Sequence, residues 1–211
     1  MDLRDVRRAL ELPRPGRDAQ LKLSPRPRPG DVFPLPPEIH PKEASVLILL
    51  FPNQNGLSFF LTRRTENVET HKGQISLPGG MQEPGEKPWQ TALREAAEEL
   101  HLNMDGVEVF HKPLTQVYIP VSGFRVTPYV GFAAHRPEVN AAPDEVVEVI
   151  EAPLEIIVDE KYLREEEWEI RNFKALVPFY RVNGYKVWGA TAMILSEFGE
   201  MLRVASKQGE R

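Results

Sequence analysis

The sequence predicts a domain of the α/β class, more narrowly α+β: a mixed β-sheet sandwiched between helices. Three features carry this. Short β-branched and aromatic runs recur between turn residues, a single segment after residue 87 has helical periodicity, and the chain closes on a hairpin signal followed by a second helical segment. A chain of 211 residues, 41% hydrophobic and 27% charged, is long enough to bury one sizeable core.

The elements follow in order. MDLRDVRRALELPRPGR has the pattern of a short amphipathic helix, and its Asp2, Asp5 and Glu11 argue against a transit peptide. Nine prolines lie within residues 13–41, interleaved with Arg14, Arg17, Arg26 and Arg28. Such a stretch reads as extended chain, laid over the domain or reaching toward a partner, the alternative being a flexible linker. The organisation is therefore an N-terminal proline-rich arm (1–43), a domain (44–205) and a short C-terminal tail (206–211). SVLILLF and LSFFLT flank the turn cluster PNQNG as a hairpin. Gly73 to Leu77 reads as extended, and Pro78-Gly79-Gly80 as a turn. Pro88 to Leu100 reads as a helix, with Pro in its first turn and Leu93, Ala96, Ala97 and Leu100 as the inward stripe. VEVFHKPLTQVYIP and FRVTPYVGFAA supply strands, and EVVEVIEAPLEIIV a strand leading into a helical or turn segment. The end of the chain is a hairpin turned at Asn183-Gly184, then a helix from about Ala190.

Composition narrows the function. A net charge of −5 argues against nucleic acid or an anionic membrane as the main partner, because both leave a basic footprint. There is no cysteine, which excludes disulfides, thiolate metal sites and cysteine nucleophiles. No apolar run approaches the length of a membrane span. A cytoplasmic location is the default expectation, and a homodimer in which the arm reaches its neighbour is a further one.

The chemistry is concentrated in PGGMQEPGEKPWQTALREAAEELHL (78–102). Glu95, Glu98 and Glu99 share one helix face at i, i+3 and i+4, where like charges destabilise by roughly 0.2–0.5 kcal/mol per pair. A positive charge should offset this. Hard carboxylate oxygens favour Mg²⁺ or Mn²⁺, which polarise phosphoryl oxygens and acidify bound water. Arg94 sits at the edge of the face, with Glu98 at i+4, placed to hold a carboxylate.

Gly80, Glu86, Arg94, Glu95, Glu98, Glu99 and Leu102 fall on the pattern G-x5-E-x7-R-E-U-x-E-E-x-G-U, in which U is a bulky aliphatic residue, so the segment resembles the Nudix box. Ala96 is small for its position, and His101 replaces the second glycine; His enters the left-handed conformation more readily than most residues. The resemblance implies a helix–sheet–helix sandwich and divalent-metal-dependent hydrolysis of a nucleoside diphosphate linked to another group. It implies Glu95, Glu98 and Glu99 as metal ligands, one of them in the alternative role of base, with the Gly80 carbonyl as a possible ligand and Glu86 in support. Some members take the base from outside the box, and Glu145 is the candidate here.

The upstream segment FLTRRTENVETHKGQISLPGG resembles the motif that precedes the box in Nudix coenzyme A pyrophosphatases. Leu61, Thr62, Arg64, Gly73, Pro78, Gly79 and Gly80 fit, and Glu69 departs. YIPVSGFRVTPYVGF and YKVWGATAMIL are also similar to that subfamily. Coenzyme A carries a diphosphate and a 3′-phosphate, so Arg64 and Lys72, then Arg63 and His71, are candidate phosphate contacts. Phe124 is a candidate wall against adenine or pantetheine, its alternative being a core residue. Trp168 and Trp188 read as packing residues. The expected substrate is coenzyme A or a derivative. The alternatives are ADP-ribose or NADH-type dinucleotides, or a module that binds a nucleotide without cleaving it.

Overall fold

The computed structural model describes residues 1–28, 34–65, 74–142, 146–170 and 173–209, the Phe173 side chain excepted. Lys72, His71 and Glu145 lie outside the described residues. In chain order the elements begin with helices α1 (Leu3–Glu11) and α2 (Arg17–Leu21) and strands β1 (Lys42–Asn53), β2 (Gly56–Arg64), β3 (Ile75–Ser76) and β4 (Gly79–Met81). Helix α3 (Pro88–Leu100) precedes strands β5 (Glu108–Phe110), β6 (Val117–Ile119), β7 (Phe124–Phe132) and β8 (Val146–Pro153). Strands β9 (Leu163–Ile170), β10 (Phe173–Val182) and β11 (Tyr185–Val187) and helix α4 (Gly189–Gly209) complete the chain.

β1 is the spine. It pairs antiparallel with β2 along one edge, while on the other edge β7 runs parallel to it from Lys42↔Phe124 to Leu50↔Phe132. β3 and β8 extend the sheet beyond β2, and β5 and β6 extend it beyond β7. Alternation along β1 sorts its side chains between two layers. Leu47, Leu49 and Phe51 meet Phe60, Tyr129 and the Ala92, Ala96 and Leu100 stripe of α3. Ile48 and Leu50, with Phe59, Leu61 and Val130, join the core that includes Leu195, Phe198 and Leu202 of α4. The sheet thus lies between α3 and α4, the sandwich expected from the sequence.

Several elements differ from their sequence reading. Gly79-Gly80 is no turn: Gly79–Met81 forms β4 against the first half of β1, with Ser45↔Gly80 and Val46↔Gly79 in register. Glycine is required for that approach, since a Cβ on Gly79 would stand 2.3 Å from the Ser45 carbonyl oxygen. β9, LREEEWEI, carries no apolar run, and the sequence reading assigned it no element. It is the outer strand of a second, three-stranded sheet, β11-β10-β9, whose charged residues are exposed. α4 runs on through Gly209, into the residues read as a tail.

The proline-rich arm is partly helical. Asp2 and Asp5 form a capping box on α1, whose Val6, Ala9 and Leu10 are buried. Among the described residues, the arm is laid over its own domain. Arg14 donates to the Pro113 and Lys112 carbonyls, Arg28 to that of Tyr118, and Gln20 to that of Thr115. Trp168 stacks on Phe179 and meets Trp188 edge-on, as packing residues do.

Candidate active site

α3 begins where the sequence places it, with Pro88 at its first position, and ends at His101, whose φ of 47° and ψ of 46° are left-handed. His101 therefore does the work of the missing glycine. Between these ends the helix buries Ala92, Ala96 and Leu100 against the sheet and turns its acidic residues toward β4.

The three glutamates of that face stand in different environments. Glu99 is buried, with a side chain only 2% exposed; it accepts from the Gly79 amide at 3.2 Å and faces Arg64 Nη1 at 3.5 Å. Glu95 packs on Gly80 so closely that a Cβ there would lie 2.3–2.7 Å from its carboxyl atoms. Glu98 is 61% exposed. The structure thus explains both glycines before the helix: Gly79 lets β4 approach β1, and Gly80 leaves room for the Glu95 carboxylate.

Arg94 is the positive charge that offsets the repulsion within this face. Its Nη1 donates to Glu95 at 2.8 Å and to Glu98 at 3.1 Å, its Nε to Glu86 at 2.7 Å, and its Nη2 to the Met81 carbonyl at 3.1 Å. Glu86 also accepts from Thr91 Oγ1 and the Glu83 amide. The Arg94 hydrogen bond, followed by those two, holds the Glu86 carboxyl down at about 2; hydrogen bonds to Glu86 and then Glu95 push the Arg94 guanidinium up. Among the described residues, no three acidic or imidazole groups are arranged as a ready-made cation site.

The candidate phosphate contacts divide between the two faces of the sheet. Arg64 joins the acidic cluster through Glu99. Arg63 turns the other way, to Glu148 at 3.4 Å and the Tyr185 ring at 5.9 Å, with a bulge between the two arginines. Phe124 is half-buried against the core on the α4 side, under the Lys42 ammonium at 5.7 Å, and the structure does not bring it to the acidic cluster. Thr91 and the Met81 carbonyl, which sequence reasoning missed, complete the Arg94 and Glu86 network. Thr91 stands three residues before Arg94, a spacing that puts it on the neighbouring helix position.

Comparison with known families matches residues 41–175 to the NUDIX domain. The chain belongs to the Nudix family. It is 38% identical over 170 residues to "Nudix hydrolase 22, chloroplastic" of Arabidopsis thaliana, covering 76% of this chain and 55% of that protein. It is 36% identical over 184 residues to "Nudix hydrolase 15, mitochondrial" of the same plant, covering 83% and 62%. This Nudix chain thus spans somewhat over half the length of those two relatives. Against the Nudix hydrolase NudL of Pectobacterium atrosepticum identity is 32% over 172 residues, covering 77% and 86%. Among solved structures, the Nudix hydrolase RenU of M. smegmatis superposes with a TM-score of 0.51 at 17% identity, over 79% of this chain and 86% of that one. That likeness speaks for the fold. No described helix is long and apolar enough to cross a membrane.

Proposed function

We propose that this Nudix protein is a pyrophosphatase that hydrolyses the diphosphate of coenzyme A, or of a coenzyme A derivative, to 3′,5′-ADP and 4′-phosphopantetheine. The observation that carries the substrate choice is the segment running from Leu61-Thr62 and Arg64 to Pro78-Gly79-Gly80, which resembles the coenzyme A pyrophosphatase pattern. Arg64, at the end of β2, brings a cation beside the buried Glu99, and Lys72 is its proposed companion on the phosphates.

The donor set fits a hard divalent cation, because it offers carboxylate oxygens on one helix face above a glycine backbone. Glu95, Glu98, Glu99 and the Gly80 carbonyl would hold Mg²⁺ or Mn²⁺. Bound there, the ion supplies charge neutralisation of the diphosphate and a more acidic water. Arg94 keeps Glu86, Glu95 and Glu98 oriented. Water attacks one phosphorus and the bridging P–O bond breaks. The proton of the attacking water passes to a carboxylate oxygen of the exposed Glu98, which then serves as base in place of ligand, or to Glu145 as the alternative base. Such a base contributes a factor of roughly 10²–10⁴.

A product-resolved panel tests this reading. Initial rates on coenzyme A, NADH and ADP-ribose, with Mg²⁺ and then Mn²⁺, should favour coenzyme A and release 3′,5′-ADP. Negligible turnover of coenzyme A overturns the substrate choice, and tight binding without product in any arm overturns catalysis.

A further inference from the structure

Among the described residues, one buried polar group near the acidic face has no partner. Ser45, on β1, is 0% exposed, and its Oγ makes no hydrogen bond to any of them. A buried hydroxyl without a partner is costly, so its presence here calls for a reason. Its neighbours on the sheet do not supply one. Ser45 lies between Gly80 of β4 and Thr127 of β7 in register, and the Thr127 hydroxyl is engaged by Gln116 Nε2 at 2.9 Å.

Alternation along β1 puts Ser45 on the same side as Leu47 and Leu49, the side covered by α3. Directly opposed residues of antiparallel strands have their Cβ atoms about 4.5–5.5 Å apart on a shared face. Opposite Ser45 the partner is Gly80, which has no Cβ; the Glu95 carboxylate fills that place, within 2.3–2.7 Å of the missing atom. The Ser45 hydroxyl and the Glu95 carboxylate are therefore cross-strand neighbours in the sense that two side chains of the sheet would be.

We infer that Ser45 is a positioning residue for Glu95: its Oγ–H donates to the Glu95 carboxylate, directly after rotation about χ1 or through one water, when Glu95 turns from Arg94 to a divalent cation. Arg94 Nη1 holds Glu95 at 2.8 Å in the structure, so a cation competes with that bond for the same oxygens. A second donor on the sheet side keeps the carboxylate seated over Gly80 during the exchange. Partners of this kind, one step removed from a metal, typically change metal affinity or activity 10–100-fold. The inference rests on the proposed role of Glu95 as a cation ligand.

The test is Ser45→Ala, with Ser45→Thr as the conservative rescue and Glu95→Gln as the control for the site itself. Mn²⁺ affinity is read by calorimetry, thermal stability by calorimetric melting, and kcat and KM on coenzyme A. Ser45→Ala should melt no lower than wild type, because it removes an unpartnered hydroxyl, yet bind Mn²⁺ at least about tenfold more weakly. Its kcat should fall with KM little changed, and Ser45→Thr should recover most of both. Wild-type Mn²⁺ affinity in Ser45→Ala, while Glu95→Gln loses it, overturns the role of Ser45 and leaves the site standing. Unchanged Mn²⁺ affinity in Glu95→Gln as well overturns Glu95 as a ligand, and Ser45 with it.

Discussion

Arg94 Nε donates to Glu86 Oε1 at 2.7 Å, and this bond ties the loop before α3 to the middle of the helix. The same guanidinium reaches Glu95, Glu98 and the Met81 carbonyl, so a single side chain joins loop, β4 and helix. Lysine keeps the charge but not the planar fork of donors. Arg94→Lys should therefore cut kcat at least tenfold and lower the melting temperature by a few degrees. Steady-state kinetics and a thermal melt check it, and a fully active Arg94→Lys would show that the fork is dispensable.

The depressed Glu86 carboxyl gives that bond a pH signature. Its folded value is about 2 against an ordinary 4.5, so the folded state favours the ionised form. The stability it contributes is fully present above pH 4.5 and is lost as the pH falls through the window down to about 2. Glu86→Gln should melt below wild type at neutral pH, and the gap should close across that window. A gap that stays constant from neutral to acid pH would remove the charge from the explanation.

Glu98 separates chemistry from folding. Its side chain is 61% exposed, and Arg94 is its hydrogen-bond donor at 3.1 Å. Exposed substitutions of this kind usually change stability by no more than about 0.5 kcal/mol. Glu98→Gln should leave the melt unchanged and abolish detectable hydrolysis. A fully active variant would take this glutamate out of the mechanism.

These residues differ in how far the sequence alone exposes them. The spacing of Glu86, Arg94, Glu95, Glu98 and Glu99 is local, and helical geometry converts it into a shared face without further information. Asn183-Gly184 is equally local: both have positive φ in a two-residue hairpin between Val182 and Tyr185, as the dipeptide implies. β4 is not local, because a glycine pair reads as a turn until β1 is placed beside it. The same holds for Arg63 and Arg64, adjacent in the chain but on opposite faces, and for Phe124, whose parity along β7 assigns it to the α4 layer. The partnerless Ser45 becomes visible only when register sets it opposite Gly80. β9 was hidden for another reason, since its charged and exposed residues leave no hydrophobic period to read.

His101 is a case in which the sequence states its own strain. Left-handed backbone costs a non-glycine residue on the order of 1–2 kcal/mol, and glycine gives back part of that gain through its freer unfolded chain. His101→Gly should thus stabilise the protein by about 0.5 kcal/mol, with activity unchanged, as read from urea unfolding. A loss of stability would show that the imidazole makes a compensating contact.

The arm offers the largest expected loss. Glu197 of α4 is fully buried, and its carboxylate accepts from Thr115 Oγ1 at 2.6 Å, the Thr115 amide and Gln20 Nε2 at 3.0 Å, and the Gly16 amide at 3.3 Å. It thereby fastens the start of α2 and the segment before β6 to one point on α4. Removing the buried acceptor leaves several donors without it, each at a cost of about 1–3 kcal/mol. Glu197→Ala should lose at least about 3 kcal/mol, seen as a lower urea midpoint at unchanged m-value. Glu197→Gln, which keeps one carbonyl acceptor, should fall between the two. Deleting residues 1–28 should destabilise the protein as well, because the buried Val6, Ala9, Leu10 and Leu23 go with the deleted segment. A wild-type midpoint in Glu197→Ala would mean that the carboxylate contributes nothing to the docking of the arm.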